Sequence, residues 1–266
     1  MEIAPLNLYI ALYNLSIKMI IIRYSEIGLK GKNRRFFENK LIANIKLLIQ
    51  KPVKNLRNRM IIKTDEKQDL SKIFGISSYS HADEIELDLE KINKKALSLA
   101  KNSDSFRISC QRIDKNIKFS SMEIQQKVGE FIFENLNIEV KLKNPEINIQ
   151  IELFNNHAYI FTEKIKGPGG LPVGVEGKVV ALIENNNSIK AALAVMKRGC
   201  EIIPVAFEKH DLSELEKYGL QNKLIIIKDL EDIEDIDAKA LVVGQKLKDF
   251  KEIKTEKLVL RPLVAE

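Results

Sequence analysis

The sequence predicts a mixed fold, α+β in its first part and α/β in its last, and three observations carry the prediction. Short β-dense runs alternate with helical patterns and basic loops from Met19 to about Lys166. A glycine- and proline-rich joint follows at Gly167–Gly177. Beyond it, the apolar run Val179-Val180-Ala181-Leu182-Ile183 reads as a buried parallel strand that leads at once into a helix.

A chain of 266 residues suits two or three domains, and an apolar fraction of 45% fits globular folding. Forty-three Lys and Arg against thirty-seven Asp and Glu leave a net charge of +6, enough to ask about nucleic acid. The excess is unevenly placed. Met19–Lys63 holds twelve basic and two acidic residues, a balance of +10, whereas Glu201–Phe250 holds seven and twelve, a balance of −5. Cys110 and Cys200 are the only cysteines and belong to no CxxC or Cys/His cluster, so neither a disulfide nor a metal site is expected. No apolar run approaches the roughly twenty residues of a membrane span. The N-terminus lacks a charged segment with a cleavage site, and a cytoplasmic protein with no membrane partner is expected. Residues 1–18 are apolar without clear periodicity and are read as an extension, with Met19 the expected start.

Met19–Tyr24 is a strand by its β-branched density, and the turn-rich loop SEIGLKGKN follows. Arg34–Ile49 places Phe36, Phe37, Leu41, Ile45, Leu48 and Ile49 near one helical face. A strand at Arg59–Thr64, a helix at Asp65–Phe74 and a third strand before His81 complete a small ferredoxin-like domain over 19–76. Lys30, Lys32, Arg34 and Arg35 sit beside Gly28 and Gly31 at a helix start, where backbone donors and the helix dipole favour anions. They read as nucleic-acid contacts; the other reading is an ordinary solvated surface.

A second α+β domain is expected over 77–166. Its elements are a strand at Glu84–Leu89, a helix at Glu90–Lys101, a strand at Ser105–Ile113 and a basic loop, DKNIKFSS. A helix from Met122 to Asn135 then buries Ile124, Val128, Phe131 and Ile132, and the strand-like runs EVKL, INIQIELF and HAYIFTEK close the domain.

Within it, FRISCQRIDKNIKFSSMEIQQKVGEFI resembles the signature of the THUMP domain, a tRNA-binding module. Together with IIIRYSEIGLKGKNRRFFE and EKIKGPGGLPVGVEGK it is similar to the tRNA 4-thiouridine synthetase (tRNA sulfurtransferase) family, from about Met19 to Phe207. The resemblance implies that the ferredoxin-like and THUMP domains grip the acceptor end of tRNA. It also implies that a pyrophosphatase-loop domain adenylates a uridine before sulfur is transferred to it. Arg107 and Arg112 on the strand and Lys115 and Lys118 in the loop are candidate phosphate contacts. Ser120 and Ser121 are candidates by hydroxyl or as an N-cap before Met122. The competing readings are an Arg112–Asp114 ion pair and a purely capping Ser121.

After the 167–177 linker, residues 178–266 read as strand KVVALI, helix SIKAALAVMKRG and strand EIIPVAF, with Ile189, Ala192, Leu193 and Met196 turned toward the sheet. In the family the first strand leads into a Ser-Gly-Gly-x-Asp-Ser loop, whose glycines let backbone N–H groups approach pyrophosphate. Here the place reads Glu184-Asn185-Asn186-Asn187-Ser188, one residue shorter and without glycine. Ser188 matches the final serine and Asn187 the aspartate; the simpler reading makes Asn187 or Ser188 the cap of the next helix. The resemblance places Leu182, Ile183, Ser188, Phe207 and Gly244 at a vestigial nucleotide site. The stretch from DLSELEKYGL through KALVVG suffices for one more helix and two strands. The acidic cluster Glu231, Asp232, Glu234, Asp235 and Asp237 alternates with Ile233 and Ile236, which suits a solvated linker or helix face better than a metal site. Gly244 is followed by none of the family's glutamine-rich run, and neither cysteine matches the family's sulfur-transfer position; Cys200 reads as a packing residue.

These departures predict a tRNA-binding protein of that family with a degenerate pyrophosphatase-loop domain, without ATP-dependent adenylation and without a cofactor. Its α/β domain would serve folding, a homodimer or a partner modification subunit. The alternative is a divergent tRNA sulfurtransferase that uses ATP and needs a separate sulfur-donating subunit.

Overall fold

The computed structural model describes residues 17–56 and 58–265, so the expected 1–18 extension lies outside the described residues except for its last two. The elements run β1 (Ile17–Arg23), α1 (Arg34–Ile49), β2 (Lys54–Leu56), β3 (Arg59–Lys63), β4 (Ser78–Glu86), α2 (Leu89–Ala100), β5 (Ser105–Arg112), α3 (Ser121–Leu136), β6 (Glu139–Val140), β7 (Ile147–Phe154), β8 (His157–Phe161) and β9 (Ile165–Lys166). Then come β10 (Lys178–Leu182), α4 (Asn186–Lys197), β11 (Glu201–Ala206), α5 (Ser213–Lys217), β12 (Ile225–Ile226), β13 (Ala240–Val242) and β14 (Leu258–Leu260). They form two sheets, and the chain divides into two compact units, described separately.

The first unit comprises the described residues up to Ile22 with Lys54–Lys67 and Tyr79–Ile165. Its strands follow the order β2-β3-β1-β4-β8-β7-β5-β6, with β9 beside β4. β1 runs antiparallel to β3 with Ile20 opposite Ile62, and β7 lies between antiparallel β8 and parallel β5. α2 and α3 cover one face: Ile92, Ala96 and Ala100 from the first and Ile124, Val128 and Ile132 from the second pack on Phe106, Ile149, Ile151 and Ile160. Both helices begin on capped turns. The Asp88 side chain accepts from the Lys91 backbone N–H, and Ser120 and Glu123 bond each other's backbone in a reciprocal box. The opposite face buries Met19, Ile21, Ile61, Phe154 and Tyr159, the last two rings stacked with centroids 4.0 Å apart. A buried Arg59–Glu152 pair at 2.7 Å joins β3 to β7 through this layer.

The second unit comprises Arg23–Val53, Gln68–Ser78 and Lys166–Glu266. Its sheet has the order β12-β11-β10-β13-β14 with every neighbour parallel, as Val180 shows by standing level with Ile203 on one side and Leu241 on the other. Alternate residues of β10 enter two cores. Val179, Ala181 and Ile183 meet α4, while Val180 and Leu182 meet Val205, Ile227, Ile233 and Leu241. A strand buried on both faces has to read as a continuous apolar run, which is why KVVALI was legible. The Gly/Pro joint packs on the end of α4: Leu171 N–H donates to the Lys197 carbonyl, and the N–H groups of Gly174, Val175 and Glu176 converge on the Gly199 carbonyl. At Gly170, with φ of +74°, a Cβ would lie 2.2 Å from the Lys197 carbonyl oxygen, so no side chain fits there.

Several expected elements differ. The helix at Asp65–Phe74 is absent. Thr64 and Asp69 side chains accept from the backbone N–H groups of Glu66 and Ser71, local bonds that replace helical ones, and the segment buries Leu70, Ile73 and Phe74 as turns. The strands expected before His81 and at Glu84–Leu89 are one strand, β4, with His81 inside it. Its polar centre is tolerated because Asp83 pairs with Lys18 at 2.7 Å and Lys95 at 2.8 Å. α1 buries only the Phe37, Leu41, Ile45 stripe with Glu38, leaving Phe36 56% and Leu48 46% exposed. On α4 the buried face is Ser188, Ala191, Ala192, Val195 and Met196, turned from the expected one, with Ile189 and Leu193 at its margin.

Candidate nucleic-acid interface and nucleotide edge

The first basic cluster belongs to the loop between β1 and α1. Two 3₁₀ turns, Glu26–Leu29 and Gly31–Asn33, carry the chain into the helix, with Ile27 as the buried anchor. Gly31 takes φ of +52°. Asn33 makes no side-chain cap, unlike Ser120 at α3, so the first N–H groups of α1 have no side-chain acceptor from that residue. The four basic residues divide by role. Lys32 and Arg35 are exposed, Lys30 lies 4.6 Å over the Phe37 ring, and Arg34 turns inward. Arg34 Nε donates to Glu38 Oε1 at 2.7 Å and its NH2 donates to the Tyr24 hydroxyl at 2.8 Å. The Tyr24 hydroxyl donates in turn to Glu38 Oε1 at 2.5 Å. Burial, reinforced by the Glu38 acceptor, pushes the Tyr24 phenol up to about 12.

The second cluster lies on β5 and the loop after it. Arg107, Lys115 and Lys118 are exposed, and Arg107 donates to the Leu142 carbonyl at 3.1 Å. Arg112 donates to the Ile117 carbonyl at 3.3 Å, closing the loop on itself, while the Asp114 carboxylate accepts from the Asn116 N–H. The competing Arg112–Asp114 pairing gives way to these two bonds. The two serines also have separate jobs. Ser120 is the cap of α3, and the Ser121 hydroxyl accepts from the Arg112 backbone N–H at 3.0 Å, tying the helix start to the strand end. Beside this loop, Arg107, Met122, Gln125, Gln126, Gly129 and Leu142 line an open groove of about 390 Å³. Its helix side is marked in the sequence by Met122 alone, a large apolar residue on the exposed first turn of a helix whose buried stripe starts at Ile124. Cys110 on β5 is half-buried, and burial pushes its thiol up to about 12.

The candidate nucleotide edge lies at the carboxyl ends of the parallel strands. The chain leaves β10 for β11 on one side and returns to β13 on the other, so the crevice between β10 and β13 is the switch point where such sheets take ligands. Glu184–Ser188 and Gly244 meet there. The α4 cap is Asn185, rather than Asn187 or Ser188: its side-chain oxygen accepts from Asn187 N–H at 2.9 Å and Ser188 N–H at 3.3 Å. Ser188 is 2% exposed, and its hydroxyl accepts from the Glu184 N–H at 3.2 Å. Gly244 presses on this turn, and a Cβ there would come within 2.3 Å of Ser188 N. Leu182 and Ile183 are core residues, whereas Phe207 stands 46% exposed just past the end of β11. In this conformation the Asn187 and Ser188 N–H groups are taken by Asn185, and the exposed Glu184 carboxylate puts negative charge at the same edge.

The acidic stretch after β12 holds backbone. Asp232 accepts from the N–H groups of Lys228 and Asp229, and Glu234 accepts from Thr255 Oγ1 and the Glu256 N–H. Among the described residues no helix is long and apolar enough to cross a membrane.

Comparison with known proteins places two domains on this chain. The ThiI ferredoxin-like domain family matches residues 19–80 and the THUMP domain family residues 79–163. A probable tRNA sulfurtransferase of Thermococcus kodakarensis is 39% identical, the match covering 79% of this chain and 63% of that protein. One of Methanocaldococcus jannaschii is 37% identical, with 82% and 65% covered. This chain thus spans just under two thirds of the length of these curated relatives. Among solved structures, a Pyrococcus horikoshii Ot3 protein superposes with a TM-score of 0.82 at 35% identity over 94% of this chain and 95% of that one. A 4-thiouridine synthetase solved as an RNA complex with bound ATP superposes at 0.78 with 27% identity, covering 94% and 81%.

Proposed function

We propose that the chain, with a ThiI-type ferredoxin-like domain and a THUMP domain ahead of an all-parallel five-stranded sheet, acts in tRNA thiolation as a member of the tRNA sulfurtransferase family. The observation that carries the reading is the reach of the likeness. It extends through the parallel sheet as well as the RNA-side domains, and one of the superposed relatives was solved with both RNA and ATP. On this reading the exposed cations Lys32, Arg35, Arg107, Lys115 and Lys118 take tRNA phosphates, and the β10–β13 crevice is the place for nucleotide chemistry on a uridine. Burial raises both cysteine thiols above their ordinary range, Cys110 to about 12. On this reading sulfur is proposed to come from a donor other than Cys110 and Cys200.

The geometry of the β10–α4 turn favours a second reading, in which the chain binds tRNA but does not adenylate it. Asn185 fills the donors that a phosphate would use, and Glu184 faces the same edge. One pair of measurements separates the two. An enzyme requires 4-thiouridine to vanish from bulk tRNA when the gene is deleted, and tRNA-dependent release of pyrophosphate from ATP by the purified chain with its sulfur donor. Unchanged 4-thiouridine in the deletion strain overturns the enzyme reading. Pyrophosphate release overturns the binding-only one.

A further inference from the structure

The β1–α1 loop, Ser25–Asn33, is held at both ends by one carboxylate. Tyr24, the residue before it, donates to Glu38 Oε1, and Arg34, the residue after it, donates to the same oxygen and to the Tyr24 hydroxyl. The Arg34 guanidinium also sits 5.6 Å over the Tyr24 ring. Glu38 is 8% exposed on the buried side of α1, so this clasp rests on the helix rather than on solvent-side contacts. A guanidinium offered to phosphate would face outward as a fork. This one faces inward, and its charge is balanced by Glu38. Of the cations at this turn, the exposed ones are Lys32 and Arg35.

We propose that Tyr24, Arg34 and Glu38 form a positioning clasp, which fixes the 25–33 loop so that Lys32 and Arg35 present their charges together to tRNA phosphates, Arg34 itself making no phosphate contact. The inference rests on the tRNA reading above. It assigns Arg34 a different role from the one its place in a basic run suggests. Lysine in its place would keep the charge but lose the planar fork that reaches Glu38 and Tyr24 at once.

The test is tRNA binding by the full chain across a salt series, for wild type, Tyr24→Phe, Arg34→Lys, Arg34→Ala and the Lys32→Ala/Arg35→Ala double variant, alone and combined. Tyr24→Phe keeps the ring and is the variant least expected to disturb folding, which circular dichroism checks. The clasp predicts that Tyr24→Phe weakens binding by about fivefold, the size of one ordinary hydrogen bond lost. Arg34→Lys should weaken it as much as Arg34→Ala. Both effects should disappear in the Lys32→Ala/Arg35→Ala background, since a clasp has nothing left to present. A general loss of structure would persist there. The inference is overturned if Tyr24→Phe binds like wild type, if Arg34→Lys keeps wild-type affinity, or if Arg34→Ala adds fully to the double variant and flattens the salt slope further, as a direct contact would. Wild type that binds no tRNA at all removes the tRNA reading and the clasp with it. That outcome is distinct from wild type that binds alongside variants that do not differ from it.

Discussion

Tyr24 and Ser120 show at the scale of single residues how local bonds set what each site can do. The Tyr24 phenol is pushed up from its ordinary 10.0 to about 12, first by burial and then by the Glu38 acceptor, so the folded state holds its proton more tightly than the unfolded chain. Its contribution to stability is complete below pH 10 and is lost as the pH rises toward 12. Urea midpoints measured from pH 9 upward should therefore fall, and Tyr24→Phe should fall less steeply. The flattening is partial because Tyr159, raised by burial and by Glu84, acts in the same direction. Ser120 is simpler. Its hydroxyl accepts from the Glu123 N–H at 3.1 Å while Glu123 returns a bond to the Ser120 N–H at 2.7 Å. Ser120→Ala should cost about 1 kcal/mol of unfolding free energy in a denaturant titration.

Legibility from sequence varied by element, and the reason in each case was what the element packs on. β10 and α4 could be read because a strand buried on both faces is a continuous apolar run and its helix follows without a gap. β4 could not, because Asp83 and His81 look like loop residues until Lys18 and Lys95 arrive from distant positions to pair with Asp83. The false helix at 65–74 had apolar spacing, but Thr64 and Asp69 offered the backbone nearer partners. The candidate site divides in the same way. The basic residues are visible as a composition bias, whereas the inward turn of Arg34 depends on Glu38 and Tyr24, and the cap of α4 falls to Asn185, two residues before Asn187 and three before Ser188. That cap yields a test at the scale of the element. Asn185→Gly should cost only a few tenths of a kcal/mol, since glycine is tolerated at an N-cap, while freeing the N–H groups of Asn187 and Ser188. If Asn185 is what keeps phosphate from the turn, calorimetry should find ATP binding tighter to Asn185→Gly than to wild type. Equal affinity would show that the cap is no obstacle.

For the molecule as a whole, the modest net charge of +6 conceals a stretch of +10 at Met19–Lys63 and one of −5 at Glu201–Phe250. Pairing inside the fold then reduces what RNA can use. Arg34 is balanced by Glu38 and Arg59 by Glu152, so the twelve basic residues of that stretch overstate the cations available. Of the candidate contacts, Lys32, Arg35, Arg107, Lys115 and Lys118 remain exposed. If each of these neutralises one phosphate, log K for tRNA should fall against log salt with a slope of about −3.5 to −4.5, depending on how much of the bound RNA is single-stranded. Between 50 and 200 mM salt that slope is a loss of roughly a hundredfold or more in affinity. Filter binding would read it directly. A slope near −1 would mean that most of these cations face solvent even in the complex, whereas a slope well beyond −5 would bring in Lys40, Lys46 or Lys51 further along α1 and past its end. Each alanine substitution among the five should lower the magnitude by about 0.7 to 0.9, and the summed decrements identify which cations the RNA touches.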